Sequence, residues 1–519
     1  MNGRPQNATT PPSDLASALR RYWGYDAFRP LQAEIIASLM AGRDACVVMP
    51  TGGGKSLCYQ LPAAIQPGRT AIVVSPLIAL MQDQVAQLEQ MGIPAARLNS
   101  TLPPAEQRQV LRQAAQGELR LLYLSPERLA RPDTWDWLGR LPISFFAIDE
   151  AHCISEWGHE FRPEYRQLSA LRQRLPGVPI AAFTASATRR VRHDILEQLQ
   201  LRQPAKFIAS FHRSNLRYVA HETPAARQLE HLVHAARACA ELAGNLIVYA
   251  PTIARVEQTV AQLAARGVLA LAYHGKMEAG ERRRNQERWM LNEVPVLVGT
   301  LAFGLGINKA NVRAVIHLAL PKSLEQYYQE AGRAGRDGEP ADCALLWQKR
   351  DVGLLAHFIQ QIEDPAESDR AWQRYREIRA FVEASACRHR QVCEHFGERW
   401  KLERCGACDV CGFQPAWWST GAGAPAPVPT RRDRRSSSAL LLPARGEPDA
   451  ALFERLKAWR LQTARQAGVP AYVVLHDTSL QALCLALPRD LAELRQVSGF
   501  GDRKVALYGE ALLALLRDA

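Results

Sequence analysis

Residues 147–165 read AIDEAHCISEWGHEFRPEY, and two carboxylates, Asp149 and Glu150, close the short apolar run 145–148. Such a run, apolar throughout, is what a strand buried on both faces of a parallel sheet looks like, and a ligand site belongs at its carboxyl end. About a hundred residues upstream, positions 49–56 read MPTGGGKS after another apolar run. The glycines Gly52, Gly53 and Gly54 let backbone N–H groups crowd around phosphate oxygens, and the helix that follows adds its positive end. Lys55 then suits the terminal phosphates, while Thr51 and Ser56 complete the loop, with Ser56 on Mg²⁺. The general pattern GxxxxGK[ST] asks for glycine where Met49 stands, so the match is to a variant of the loop. Asp149 fits the Mg²⁺ shell and Glu150 the orientation or deprotonation of an attacking water. An adjacent acidic pair alone is more often a solvated turn. The lysine loop upstream decides for catalysis.

From these two blocks the fold extends outward. Strand-like runs occur at 45–49, 71–75, 121–124, 145–148 and 180–184, and again at 245–249, 269–273, 296–299 and 315–317. Helical stretches lie between them, which predicts an α/β chain with two RecA-like, doubly wound parallel-sheet domains. The boundaries read as 1–13 disordered, 14–206 and 207–350 for the two domains, 351–412 a helical cysteine-bearing module, 413–448 a flexible linker and 449–519 a small all-α unit. The linker is rich in Pro, Ala, Gly and Ser with a basic knot at Arg431-Arg432-Asp433-Arg434-Arg435. A formal charge of +12 favours a polyanionic partner without choosing among DNA, RNA and membrane. No apolar run approaches the ~18 residues of a membrane span. The first dozen residues lack the core of a signal peptide. The expectation is a cytoplasmic monomer (nucleoid-associated if bacterial) with no membrane partner.

In the second α/β domain, residues 329–337 read QEAGRAGRD. Arg333 or Arg336, delivered across a cleft, can neutralise charge growing on a γ-phosphate. His152 is placed to bridge to the hydroxyls of Thr184-Ala185-Ser186. Cys405, Cys408 and Cys411 stand at metal-ligand spacing, and a fourth ligand must come from Cys387, Cys393 or His395. Eleven cysteines, three of them in this knot, suggest a reducing compartment with a structural Zn²⁺.

These blocks, in this order, resemble the RecQ family of superfamily 2 DNA helicases over residues 15–411 and again from 449 to the end. The segment 147–165 is the most specific part. The resemblance implies that Tyr25 and Arg29 flank an adenine whose edge Gln32 reads, with Leu31 where the family more usually has glycine. It implies strand contacts at Ser75, Pro76 and Gln84 and in YLSPERL (123–129), and a coupling motif from Gly299 through Thr300 to Lys309. Trp157, His159, Phe161 and Arg162 match the family's aromatic loop that senses single-stranded DNA. That assignment makes chemical sense, since ring faces stack on any base for roughly 1–3 kcal/mol each. Cys387 matches the fourth zinc ligand. Residues 471–477 (AYVVLHD) and 497–504 (VSGFGDRK) resemble the HRDC domain, in which the Gly-turn-Gly start of a helix suits a phosphate. Near-balanced charge there leaves protein contacts equally open.

The resemblance also has a gap. RecQ proteins commonly carry a winged-helix domain between the zinc module and the HRDC domain, where this chain has only residues 413–448. Arg431–Arg435 or Trp417-Trp418 are the candidates to replace part of it. The function implied is an ATP-, Mg²⁺- and Zn²⁺-dependent 3′→5′ helicase acting on single-stranded and tailed duplex DNA in repair or recombination, with DNA repair proteins as possible partners. The missing domain motivates a rival: a DNA-stimulated ATPase that binds, anneals or remodels with weak unwinding. A related RNA helicase is a third reading.

Overall fold

The computed structural model describes residues 13–99, 102–158, 160–300, 309–418, 449–467, 469 and 471–517. Expectations at residues 1–12, His159, 301–308 and Arg431–Arg435 lie outside these. The first sheet holds β1 (Ala45–Val48), β2 (Thr70–Val74), β3 (Ala95–Leu98), β4 (Leu121–Leu124), β5 (Ile143–Ile148), β6 (Ile180–Thr184) and β7 (Ala205–Ile208) in the order β3-β4-β2-β5-β6-β1-β7. The second holds β8 (Leu216–Glu222), β9 (Asn245–Tyr249), β10 (Ala270–Tyr273), β11 (Val296–Gly299), β12 (Val312–His317) and β13 (Ala341–Trp347) in the order β10-β11-β9-β12-β13-β8. Every strand pairing in both sheets is parallel.

Residues of β1, β2, β5 and β6 are buried along their whole length, as crossover helices on both faces require. All nine expected runs are strands, but four strands were not anticipated. β7 alternates half-buried and exposed residues at the sheet edge, and β3 is two alanines, an arginine and a leucine. β8 and β13 carry Arg217 and Asp342, which face each other as an ion pair (2.6 Å) and interrupt the apolar pattern of both strands.

Trp417 and Trp418, inside the segment expected to be linker, are packed on the second domain. Trp417 is buried against the second sheet, where its Nε1 donates to Asp342 Oδ2 at 2.7 Å. Trp418 stacks on His231 with ring centroids 4.1 Å apart. Neither ring is available as a substitute for a winged helix, which corrects that expectation. Five helices between Ala450 and Arg517 enclose a core of their own, and the helices Lys349–Gln360, Pro365–Glu383 and Arg388–His395 lead into the cysteine knot. No helix among the described residues is long and apolar enough to cross a membrane.

Candidate nucleotide cleft and nucleic-acid interface

The phosphate loop leaves β1 and enters the helix Lys55–Ala64. Gly52 and Gly54 have φ of 83° and 82°, left-handed values that a side chain resists. A Cβ on Gly54 would also strike Gln32 Nε2 at 2.3 Å, because that amide lies directly on the loop. Gln32 Nε2 donates to Gly54 O at 3.1 Å and accepts from Arg29 N at 2.8 Å through Oε1, and the Arg29 guanidinium donates to Gly52 O. The adenine-motif residues are thereby fastened to the phosphate loop, with Tyr25 exposed at its rim. Leu31 takes φ of 68°. That accounts for the family's glycine there, and the leucine costs about 1–2 kcal/mol in this conformation.

Asp149 follows β5 and is buried beside Glu150, whose φ of 47° is also left-handed. Backbone strain of this kind gathers at reactive sites. Burial and the Glu150 charge push the Asp149 carboxyl up to about 7, against the pull of Lys55. Tyr165, from the end of the 147–165 block, donates its hydroxyl to Asp149 O at 2.9 Å and fixes the turn. Lys55 Nζ donates to Met49 O at 3.3 Å. Gln84 Nε2 donates to Ser56 Oγ at 3.3 Å, and its Oε1 accepts from the Tyr59 hydroxyl. Gln84 is buried, with its amide between Ser56 and Tyr59.

The second domain closes over this loop. A Cβ on Gly52 would sit 3.2 Å from Arg336 Cγ, and one on Gly332 3.5 Å from Thr51 Cβ. Gln329 Nε2 donates to Ser186 Oγ at 2.8 Å, which joins the helix Leu324–Ala331, just ahead of the arginine loop, to the Thr184-Ala185-Ser186 turn. Arg333 is buried near Tyr249. Burial and the neighbouring Arg333 and Arg213 pull Arg336 down to about 9. Three guanidiniums thus converge where a polyphosphate would bring negative charge. The cleft has a volume of about 1170 Å³, with Lys55, Asp149, Glu150 and Arg29 on one wall and Arg333 and Arg336 on the other.

His152 Nδ1 lies 2.9 Å from Thr184 Oγ1, the bridge expected from sequence. Thr184 Oγ1 in turn donates to Ser186 O at 3.2 Å, so the carboxylate turn, this hydroxyl and Gln329 form one chain of contacts. Beyond it, Arg162 donates to Pro76 O at 3.4 Å, next to the buried Ser75. Arg190 lies over the Trp157 ring at 2.9 Å from its centroid, Arg370 approaches the same ring at 5.7 Å, and Arg166 stands over half-buried Phe161. Thr300 follows β11, its N–H donating to Tyr273 O at 3.3 Å.

Cys387, Cys405, Cys408 and Cys411 bring their sulfurs within 4.8 Å of one another, and Cys387 and Cys408 are 4.0 Å apart. A tetrahedron of ~2.3 Å Zn–S bonds sets sulfur pairs ~3.8 Å apart, so the four thiols fit zinc and leave no open position. The alternatives are otherwise engaged. Cys393 is buried outside the cluster with its thiol pushed up to about 12 by burial and Glu398, and His395 Nε2 pairs with Glu325 at 2.7 Å.

The C-terminal helices lie across the mouth of the nucleotide cleft. Gly499 N–H donates to Gly24 O at 3.2 Å, and the Tyr508 hydroxyl to Gln90 Oε1 at 2.5 Å, both in the first domain. On the second domain, Asn292 donates to Asp477, which is also held by Arg460 at 2.6 Å. Lys309 donates to Asn292 Oδ1 at 2.7 Å. Its ammonium is pulled down to about 7 by burial, with Asp477 working the other way. The Gly-turn-Gly loop is not an open phosphate receiver: Gly501 is packed against Arg21 O and Tyr22 O at the end of the first helix, Ser13–Trp23. A positive helix start meets a negative helix end.

Four family models match the chain: DEAD/DEAH box helicase over residues 29–195, helicase conserved C-terminal domain over 226–338, RecQ zinc-binding over 349–412 and HRDC domain over 449–516. These four leave 413–448 uncovered. The protein called ATP-dependent DNA helicase RecQ of Haemophilus influenzae is 34% identical over 97% of this chain and 95% of its own length. That alignment runs over 598 positions against 519 residues here, so the relative carries residues this chain lacks. The RecQ helicases of Pasteurella multocida and Bacillus subtilis are 42% and 40% identical, each over 76% of this chain and over 61% and 66% of their own. Among solved structures, DEAD-box helicase Mss116 bound to ssRNA and UDP-BeF has a TM-score of 0.56 at 16% identity, covering 74% of this chain and 90% of that one. Helicase MrfA bound to DNA has a TM-score of 0.54 at 18% identity, covering 67% and 52%. At those identities the structural likeness speaks for the fold alone.

Proposed function

The chain belongs to the RecQ family and is an ATP-dependent DNA helicase of that type, and from this premise we propose how its own residues run the cycle. Lys55 and the Gly52–Gly54 amides hold the phosphates, Tyr25, Arg29 and Gln32 hold the base, and Glu150 orients the attacking water. Ser56 and Asp149 would hold Mg²⁺, which would supply positive charge to the bound phosphates. Arg333 and Arg336 meet the charge that develops on the γ-phosphoryl group. The observation that carries this reading is Arg336 lying over Gly52, with Gln329 fastened to Ser186 across the same cleft.

Strand contact runs along Ser75, Pro76, Arg162, Trp157, Phe161 and Thr300. His152 and Thr184 link that path to the carboxylates through bonds already formed. Nucleotide-driven closing and opening of the two domains alternates their grip on one strand and moves the motor 3′→5′. Opening a base-pair step costs about 1.4 kcal/mol on average, a modest load per cycle. Repair and recombination intermediates with single-stranded tails are the natural substrates. The HRDC unit, fastened to both domains at the mouth of the cleft, serves intramolecular contact in this arrangement.

Release of a strand from a duplex with a 3′ single-stranded tail, against a 5′-tailed duplex and the Lys55→Ala variant, tests the reading. ATP-dependent release from the 3′-tailed substrate alone is expected. Release from the 5′-tailed substrate alone would reverse the direction, and strong DNA-stimulated hydrolysis without release would move the protein to the remodelling role. A second expected outcome concerns the sensor: Trp157→Ala with Phe161→Ala abolishes stimulation of hydrolysis by single-stranded DNA while basal turnover persists. Each ring contributes roughly 1–3 kcal/mol of base stacking. A DNA-stimulated rate equal to the parent's removes the sensing role.

A further inference from the structure

The chain crosses from the first sheet to the second between Ile208 and Leu216, and this crossing does more than connect. Arg213 spreads its guanidinium over the loop that carries the two cleft arginines. Its NH1 donates to Gly332 O at 2.8 Å, and its NH2 donates to Ala334 O at 3.0 Å and Gly335 O at 2.7 Å. Asn215 Nδ2 adds bonds to Gly335 O at 2.8 Å and Glu339 O at 3.0 Å. Arg333 and Arg336 thus sit on a loop whose carbonyls are gathered by one side chain from outside it. Its NH2 also donates to Asn215 Oδ1 at 3.4 Å, and among the described residues Arg213 forms no ion pair with a carboxylate. Only a planar fork of several N–H groups can hold three carbonyls at once; a lysine ammonium on a flexible stem cannot keep that geometry.

The other side of the crossing is held by the zinc module. Glu398 accepts from Ser210 Oγ and from Phe211 N–H, both at 2.7 Å. The Phe211 ring is buried and stacks on Phe396 with centroids 4.3 Å apart and planes 11° from parallel. The turn that carries Phe396 and Glu398 follows the helix Arg388–His395, whose N-cap is Cys387, a member of the zinc cluster. Arg189 and Arg192 of the first domain grip the same turn, donating to Gly397 O at 2.9 Å and Phe396 O at 3.1 Å.

We propose that Arg213 is a positioning residue for ATP hydrolysis, holding the Gly332–Arg336 loop against the phosphates, and that Glu398 anchors it to the zinc module. This rests on the assignment of Arg333 and Arg336 to the γ-phosphate. Arg213 touches no reacting atom and acts through the loop.

Steady-state hydrolysis at saturating DNA, with thermal melts and binding of a fluorescent ATP analogue, separates the possibilities. Arg213→Lys keeps the positive charge and is expected to lower kcat about 10²-fold, the scale of a ~1 Å misplacement, with KM and nucleotide affinity near the parent's. Asn215→Asp, which turns a donor into an acceptor facing two carbonyls, serves as the second variant and is expected to lower kcat in the same way. If Arg213 works through the loop, adding Arg213→Lys to Arg336→Ala changes kcat little further, because residues acting as one unit are not additive. Unchanged kcat in both Arg213→Lys and Asn215→Asp, or fully multiplicative losses in the double variant, overturns the proposal. Full activity in Arg336→Ala instead overturns the assignment of the arginine loop itself. Glu398→Gln is expected to lower kcat several-fold at unchanged zinc content; parent kcat there removes the link to the zinc module.

Discussion

Replacing Arg336 with alanine is expected to cut DNA-stimulated ATP hydrolysis by about 10³–10⁵-fold, the range for an arginine that stabilises a phosphoryl-transfer transition state. The side chain lies over Gly52 of the phosphate loop, so no large domain movement is needed to bring it to a bound triphosphate. Its guanidinium is pulled down first by burial and then by the neighbouring Arg333 and Arg213 charges. Negative charge growing on a γ-phosphate relieves the repulsion as the bond breaks, so the stabilisation is larger in the transition state than in the ground state. Nucleotide affinity should therefore change little and single-turnover hydrolysis greatly. A kcat within tenfold of the parent would exclude Arg336 from this role and leave Arg333, more deeply buried beside Tyr249, as the remaining candidate.

How much of this was visible in the sequence depends on distance along the chain. The phosphate loop and the Asp149-Glu150 pair each follow a short apolar strand, the arginine loop follows the helix Leu324–Ala331, and each carries its chemistry within a few residues, so spacing alone exposes them. The His152–Thr184 bridge was legible because both ends close neighbouring strands. Arg213 was not: its partners lie about 120 positions away, and nothing in the local pattern distinguishes it from a surface arginine. The bond from Gln84 to Ser56 was hidden for a related reason, since helical position cannot tell which groups a side chain meets across a cleft. Trp417 and Trp418 were absorbed by the composition of the segment that follows them, while their partners Asp342 and His231 belong to the second sheet domain. The docking of the C-terminal helices rests on single contacts such as Gly499 with Gly24 and Tyr508 with Gln90, separated by more than four hundred residues.

The largest effect on stability is expected at the cysteine knot. Cys408→Ser should abolish zinc binding, melt the module 351–412 and lower hydrolysis with it. Zinc held by four thiolates contributes about 10–16 kcal/mol in small peptides, as much as the whole stability of a typical domain, ~5–15 kcal/mol. Here the knot also finishes the second sheet. Tyr218 of β8 pairs in parallel with Cys408 and donates its N–H to Ala407 O at 3.0 Å. Asp409 accepts from Ala220 N–H at 3.1 Å and from Arg388 at 3.0 Å through each oxygen. Losing the metal therefore frees a sheet edge and the helix Arg388–His395 together, and with that helix goes the turn bearing Glu398. Metal content, thermal melting and hydrolysis should fall in step. Cys393→Ser is the control, because that thiol lies outside the cluster and should keep full zinc content. One zinc per chain and a parent-like melt in Cys408→Ser would show that the fourth position is filled by another group and that the sheet edge stands without the knot.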